Sequence, residues 1–308
     1  MLFRSNSMVD SPNGKLKNIP FTSQIVPEKL LGKSTFKFNC HKGVSCFNAC
    51  CKAIDIALAP YDIIQLKQHL KIDSRQFLAT YTVPYEMDGH AMPGVKLKTV
   101  GDTTQCPFVT PEGCGVYEAR PTACRYYALG LMSMRETDKF TDDDYYFTVS
   151  EDHCKGHEED KEQTVDEYRE SQGIPEMDDL NREWRQLILK KRSSGPTIGK
   201  PSTRSNQLFF MSMYNVDALR NFVTSEGFTS VYDLDDEFYE SIKEDDVAML
   251  KFGYKLMKQV LFGEMTIPVV DGALEKRVEA RRDEMEGRSQ ADQDKDFNDR
   301  FDATELDD

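Results

Sequence analysis

All eight cysteines of this 308-residue chain lie between positions 40 and 154, and four of them fall in the fourteen residues FNCHKGVSCFNACC, 38 to 51. Written out, the spacing is Cys40-x5-Cys46-x3-Cys50-Cys51, then Cys106-x7-Cys114-x9-Cys124, with Cys154 standing thirty residues further on. Thiols at this density have three ordinary uses: disulfides, inert packing, or ligation of a metal. An even count would allow four disulfides, but a chain of 308 residues buries enough core to do without staples. The first residues, MLFRSNSMVDSPNGKLKN, lack the apolar core of a signal peptide, so the cytoplasm, where thiols stay reduced, is the expected compartment. Free cysteine also packs like a small hydrophobe. Confinement of every cysteine to one half of the chain counts against that use.

Metal ligation remains, and thiolates favour zinc or iron–sulfur clusters. The short Cys-x2-Cys knuckles of ordinary zinc modules are absent from the sequence. The adjacent pair Cys50-Cys51 is more informative. On an extended backbone neighbouring side chains point to opposite faces, so both reach one ion only with strong distortion. A cluster several ångströms across, or two neighbouring sites, accepts both more easily. Eight thiols equal two sets of four, the ligand count of a 4Fe–4S cluster. One cluster with bystander cysteines is the open alternative. The candidate metal ligands are therefore Cys40, Cys46, Cys50, Cys51, Cys106, Cys114, Cys124 and Cys154, the last being the most remote.

Their neighbours suit such a site. His41, His153 and His157 are secondary candidates, each equally readable as a solvated side chain. Gly43, Gly113 and Gly115 would let backbone wrap closely. Lys42, Lys52, Arg120 and Arg125 could offset thiolate charge or donate to sulfur; alternatively Arg120 forms a surface ion pair with Glu112 or Glu118.

Along the chain, residues 1–34 read as a polar lead-in and 35–192 as the cysteine domain with flanking helices. KAIDIALAP alternates like a short strand, and Pro60 opens a helix with Ile63, Leu66 and Leu70 on one face. Asp73 is placed to cap SRQFLATY, and AMPGVKLKTV alternates again as a strand. KGHEEDKEQTVDEYRESQG reads as a charged, solvent-facing helix. MDDLNREWRQLILKKR reads as an amphipathic one with Leu180, Trp184, Leu187 and Ile188 inward.

SSGPTIGKPSTRS, 193–205, is the expected linker, and 206–265 a mainly helical, cysteine-free unit. There QLFFMSMYN reads as a buried strand, and Asn215 caps a helix over VDALRNFVTSEG that ends at Gly227. Val247, Leu250, Tyr254, Met257 and Leu261 form a stripe read as a core face rather than a cofactor lining, with Gly263 as its stop. Residues 266–308 are expected to be a disordered, acidic tail, either solubilising or facing a basic protein partner. The fold class expected is α+β. A net charge of 39 − 53 = −14 argues against nucleic acid and anionic membrane as partners, and no apolar run approaches the length of a membrane span.

The run CHKGVSCFNACC, the segment LAPYDIIQL, and then CPFVTPEGCGVYEARPTACRYYALG together resemble the YkgJ-type cysteine-cluster family. The pieces that carry the likeness are the Cys-Cys pair, Cys-Pro-Phe at 106–108, Cys-x-Val-Tyr-Glu at 114–118 and Arg-Pro-x-x-Cys-Arg at 120–125, within about residues 38–130. The resemblance implies a zinc- or iron-chelating site more firmly than a reaction. A branch with a similar cluster is similar to flagellin lysine N-methylases, which use S-adenosylmethionine. This sequence shows neither a Gly-rich loop after a strand nor a Cys-x3-Cys-x2-Cys triplet in their support.

The reading that leads is a cytoplasmic protein holding one or two iron–sulfur clusters, in electron transfer, redox sensing or as an accessory to a partner. A zinc-stabilised interaction module is the first alternative and a methylase-like enzyme the second. A cysteine–histidine nucleophile is less well supported, because no Cys–His–acid arrangement is visible.

Overall fold

The computed structural model describes residues 23–25, 29–87, 92–135, 142–193, 201–273, 275, 276 and 279. Most of the lead-in, residues 194–200 of the expected linker and the tail from 280 onward lie outside the described residues. The fold is α+β, with short antiparallel strands and longer helices.

Two short strands, β1 (Ser23–Ile25) and β2 (Thr35–Lys37), precede the cysteine run. After it come β3 (Ala57–Leu58), α1 (Pro60–Leu70), α2 (Ser74–Tyr81), β4 (Thr82–Met87) and β5 (Met92–Leu97). Local chemistry explains the helix starts. Pro60 takes the first helical position, where the missing N–H costs nothing, and the Asp62 carboxylate accepts the Ala59 N–H at 2.8 Å. Asp73 accepts the Gln76 N–H at 2.7 Å, the expected cap of α2. The antiparallel sheet β3–β5–β4 then packs on these helices. Only two residues of the KAIDIALAP strand pair, although Ile54 and Leu58 are buried.

The chain returns to the cysteines through β6 (Val109–Thr110), β7 (Gly113–Cys114) and α3 (Thr122–Tyr126). Gly113 has φ +133°, a region that favours glycine, so the tight hairpin requires it. Next come β8 (Leu129–Arg135) and β9 (Asp142–Glu151), which with β1 form a sheet in the order β1–β9–β8. β10 (Glu162–Thr164) pairs with β2, and α4 (Val165–Ser171) follows. Here the expected charged helix gives way to a 3-10 turn at Gly156–Glu158, a strand and one short helix. Thr164 and Glu167 form a reciprocal cap that starts helix only at Val165, and Val165 and Tyr168 are buried rather than solvated.

The remaining helices are α5 (Ile174–Ser193), α6 (Thr203–Tyr214), α7 (Val216–Val223), α8 (Glu226–Thr229), α9 (Asp236–Ser241) and α10 (Asp246–Phe262). α6 corrects the strand expected over QLFFMSMYN. A short apolar run cannot be told from a buried helix by period alone, and Ser202 starts the helix upstream by accepting the Ser205 N–H at 3.0 Å. Its buried positions, Phe209, Ser212 and Met213, then fall at helical steps. Asn215 caps α7 through the Ala218 N–H, but the helix stops at Val223, and Gly227 lies inside α8. α10 runs as expected to Gly263, left-handed at φ 69°, and Leu250, Tyr254 and Met257 are buried in the core.

Two apolar clusters result. The larger joins α1, α2, the β3–β5–β4 sheet and α5 to α6, α7 and α10, so the second half of the chain shares its core with the first. The smaller gathers Leu30, Phe36, Phe38, Leu129, Tyr146 and Tyr168 around β8, β9 and α4. Residues just past 265 also belong to the ordered body: Ile267 is buried and Val270 N–H donates to Val231 O at 2.9 Å. Among the described residues, no helix is long and apolar enough to cross a membrane.

Candidate metal centre

The run from Cys40 to Cys51 has almost no regular structure. It coils through successive turns, with Val44 N–H to His41 O at 3.1 Å, Phe47 N–H to Val44 O at 2.9 Å and Ala49 N–H to Cys46 O at 2.8 Å. Val44 is buried and pins the coil. Asn48, left-handed at φ 66°, turns the chain into a 3-10 turn, Ala49–Cys51, and its side-chain N–H donates to Thr110 O at 3.1 Å. That bond ties the run to β6. A second tie is the Cys106 N–H, which donates to Cys51 O at 2.8 Å. The Cys50 and Cys51 sulfurs lie 3.9 Å apart.

These ties draw distant segments around one cavity of about 690 Å³. Cys40, Cys50, Cys51, Cys106, Cys114 and Cys124 line it. Cys40 and Cys50 are exposed, Cys106 is buried, and the other cysteines are intermediate. Cys46 and Cys154 complete the set from one side: the Lys155 N–H donates to Cys46 Sγ at 3.1 Å, which brings the chain next to Cys154 onto the first run. The thirty-residue gap that isolates Cys154 in sequence is closed by the antiparallel return of β9 along β8. All eight thiols are free. Among the described residues, no three His, Cys, Asp or Glu side chains are grouped so as to hold a metal ion as they stand.

The cavity is electrically unusual. Desolvation raises the Cys40 thiol to about 11, and charges on Cys50, Cys46 and Cys154 push the same way. The hydrogen bond with Cys51, then burial, raises Cys50 strongly. Burial does the same to Cys124, reinforced by Cys106, Cys50 and Cys114. Burial also raises Cys106 and Cys154. These five thiols therefore resist becoming thiolates, and a bound cation would reverse that preference.

Two residues that the cysteine pattern alone did not single out also face this space. Glu151 is buried, and the Tyr127 hydroxyl donates to its Oε2 at 2.7 Å. Tyr127 also bonds the Cys154 thiol, and burial followed by these two partners raises its own hydroxyl far above the usual range. The signal was local: Tyr127 stands three residues after Cys124 and Glu151 three before Cys154.

The histidines are otherwise engaged. His41 Nδ1 accepts the Gly43 N–H at 3.1 Å while Nε2 meets Glu159 at 3.0 Å. His157 places both ring nitrogens against carbonyl oxygens, Lys37 at 3.3 Å and Val149 at 3.0 Å. His153 Nε2 lies 3.4 Å from Glu151. Arg120 and Arg125 hold the backbone around Cys124. Arg120 donates to Tyr117 O and Gln172 Oε1, both at 2.8 Å, and Arg125 to the carbonyls of Arg120, Gln172 and Glu118. Their bonds thus go mainly to main-chain oxygens, in place of the Arg120–Glu112 or Arg120–Glu118 surface ion pair considered from sequence.

Residues 39–180, slightly under half of the chain, match the model of the CxxCxxCC family, described as "Putative zinc- or iron-chelating domain". That match shows a cysteine-cluster domain over this stretch. Metal chelation is the property its description carries, and both zinc and iron are compatible with it. The leading gaps here, x5 and x3, are wider than the family's name spells out, and the coiled turns between Cys40 and Cys50 absorb the extra residues. No curated protein and no solved structure matches the chain.

Proposed function

We propose that the protein binds one or two iron–sulfur clusters at this cavity and works in the cytoplasm in electron transfer, redox sensing or as an accessory to a protein partner. One observation carries the reading. Thiols from separated segments of the chain face a single space of about 690 Å³, yet no three of the described side chains are set for one ion. A polynuclear cluster needs that room and takes four thiolates. When bound, such a cluster supplies one-electron redox chemistry.

The chain's own residues supply the rest. The Cys106 N–H on Cys51 O and the Arg125 bonds fix the loops that present sulfur. The Tyr127 hydroxyl donates to Glu151 beside Cys154, and such hydrogen bonds and partial burial tune potential. Purification without oxygen, followed by iron and acid-labile sulfide analysis, tests the proposal. A brown protein with about four irons and four sulfides per cluster is expected. A colourless protein with stoichiometric zinc and no sulfide overturns it.

Zinc has its own supporting observation. The cysteine segments are held by two-residue strands and three-residue turns, so metal binding could supply folding energy there. On that reading chelation unfolds the cysteine region, and redox potential has no effect.

A further inference from the structure

The eight sulfurs do not sit evenly around the cavity. Cys106 belongs to the larger apolar cluster, and Cys51 and Cys114 pack against it. Cys154 packs, with Tyr127, against the smaller one. The cavity therefore lies along the seam between two cores, with cysteines on both banks.

Backbone contacts sort the remaining cysteines. On one bank, the Cys106 N–H donates to Cys51 O at 2.8 Å, and Val109 pairs with Cys114 in the β6–β7 hairpin. The Arg125 guanidinium holds the Cys124 helix to Glu118 and Arg120, in the loop that follows that hairpin. On the other bank, the Lys155 N–H reaches Cys46 Sγ at 3.1 Å, and the Asn39 N–H donates to Gly156 O at 3.0 Å. Those two bonds carry Cys46 and Cys40 onto the turn that bears Cys154. In the 3-10 turn that carries them, Cys50 and Cys51 hold their sulfurs 3.9 Å apart, which places the pair where the two banks meet. Cys51 packs against the larger cluster to which Cys106 belongs and so goes to that bank, which leaves Cys50 for the other side.

We infer that the eight cysteines form two separate four-thiol sites, Cys40, Cys46, Cys50 and Cys154 on one bank and Cys51, Cys106, Cys114 and Cys124 on the other, divided between the adjacent residues Cys50 and Cys51. The inference rests on the metal-binding reading above but not on which metal is bound. It makes the Cys-Cys pair a divider that hands one ligand to each site.

Two double variants of the full chain test it, C46S/C154S and C106S/C114S, purified without oxygen and assayed for metal and sulfide per chain. Each is expected to lose half of the wild-type metal. For iron, the two remaining electron paramagnetic resonance signals are expected to sum to that of the wild type; half-loss with zinc and no sulfide would sink the cluster reading and leave the division standing. Loss of all metal from either variant when its far-ultraviolet dichroism is unchanged, or full retention by one of them, overturns the division. Should a variant fail to fold, the wild-type holoprotein decides by stepwise chelation with thiol alkylation read by mass spectrometry. Two blocs of reactive cysteines with the stated memberships are expected; a single step, or blocs that mix members, overturns the division. A protein that takes up no metal on isolation or reconstitution overturns both readings.

Discussion

In the helical body, Lys67 Nζ lies 2.9 Å from Asp246 and 3.0 Å from Asp217, and Arg220 reaches the same two carboxylates at 2.6 and 3.0 Å. Two cations meet two anions, and the Ser74 N–H adds a bond to Asp217 at 2.7 Å. At the seam, by contrast, six thiols and Glu151 line a space whose buried cation, Arg120, spends its bonds on Tyr117 O and Gln172 Oε1. Burial, or for Cys50 first the Cys51 hydrogen bond, makes Cys40, Cys50, Cys106, Cys124 and Cys154 harder to ionise, and Glu151 points into the same space. The first arrangement is complete as it stands, because each buried charge already has its counterion. In the second, the Arg120 bonds go to oxygens and not to the thiols, which leaves the sulfurs to a bound cation. Charge satisfied within the protein serves stability, whereas like groups crowded together suit a ligand.

The largest effect expected from breaking that contrast is in the helical body. Lys67→Met strips the shared cation from two carboxylates and should cost about 3–5 kcal/mol in urea unfolding, with metal per folded chain unchanged. A loss below about 1 kcal/mol would show that the ring is no more than a surface pair. Cys124→Ser is expected to do the reverse, lowering bound metal by half while moving apoprotein stability by about 1 kcal/mol or less. A variant that kept full metal would remove Cys124 from the ligand set.

A smaller change is expected from Tyr127→Phe. It takes the hydroxyl from Glu151 and Cys154, and should cost about 1–3 kcal/mol in apoprotein stability. If a cluster is bound, its reduction potential should move as well; an unchanged potential would separate Tyr127 from the site.

The smallest effects are in pH dependence, where the two regions differ in sign. Burial works against the Asp217 carboxylate, but the Ser74 and Lys67 bonds outweigh it and hold it down from 3.8 to about 2. Its contribution is therefore present above pH 4 and lost as pH falls toward 2, because the unfolded chain takes up the proton first. Cys40 is raised from 9.0 to about 11, so its contribution is present below pH 9 and lost between 9 and 11, where the unfolded thiol ionises first. Urea midpoints of the apoprotein across both ranges check this, and metal loading should abolish the alkaline limb. Persistence of that limb in the loaded protein would mean that Cys40 stays outside the centre.

Much of the helical frame was legible because its signals are local. Pro60, Asp73, Asn215 and Gly263 each act within one turn, and α1, α2, α7 and α10 begin or end where those residues dictate. α6 was not legible in this way, since the short apolar-rich run QLFFMSMYN fits either period and only the core around Phe209 and Met213 selects the helix. The likeness of residues 38–130 to a chelating family came from residue types and spacing, and the match over 39–180 extends it. Cys154 was named from the sequence only as the most remote candidate, and Tyr127 and Glu151 were not named, because their nearness to the first run depends on how β9 folds back along β8.

Residue order alone dictates the chemistry at hand, eight soft ligands in one half of an acidic chain, and the helices whose caps and stripes act within a few residues. Long-range packing adds that α6, α7 and α10 share the first half's core, and that six of the thiols line one cavity between the two apolar clusters. Caps and periodicity depend on neighbours along the chain, whereas convergence of sulfurs more than a hundred residues apart is fixed by which apolar faces bury each other.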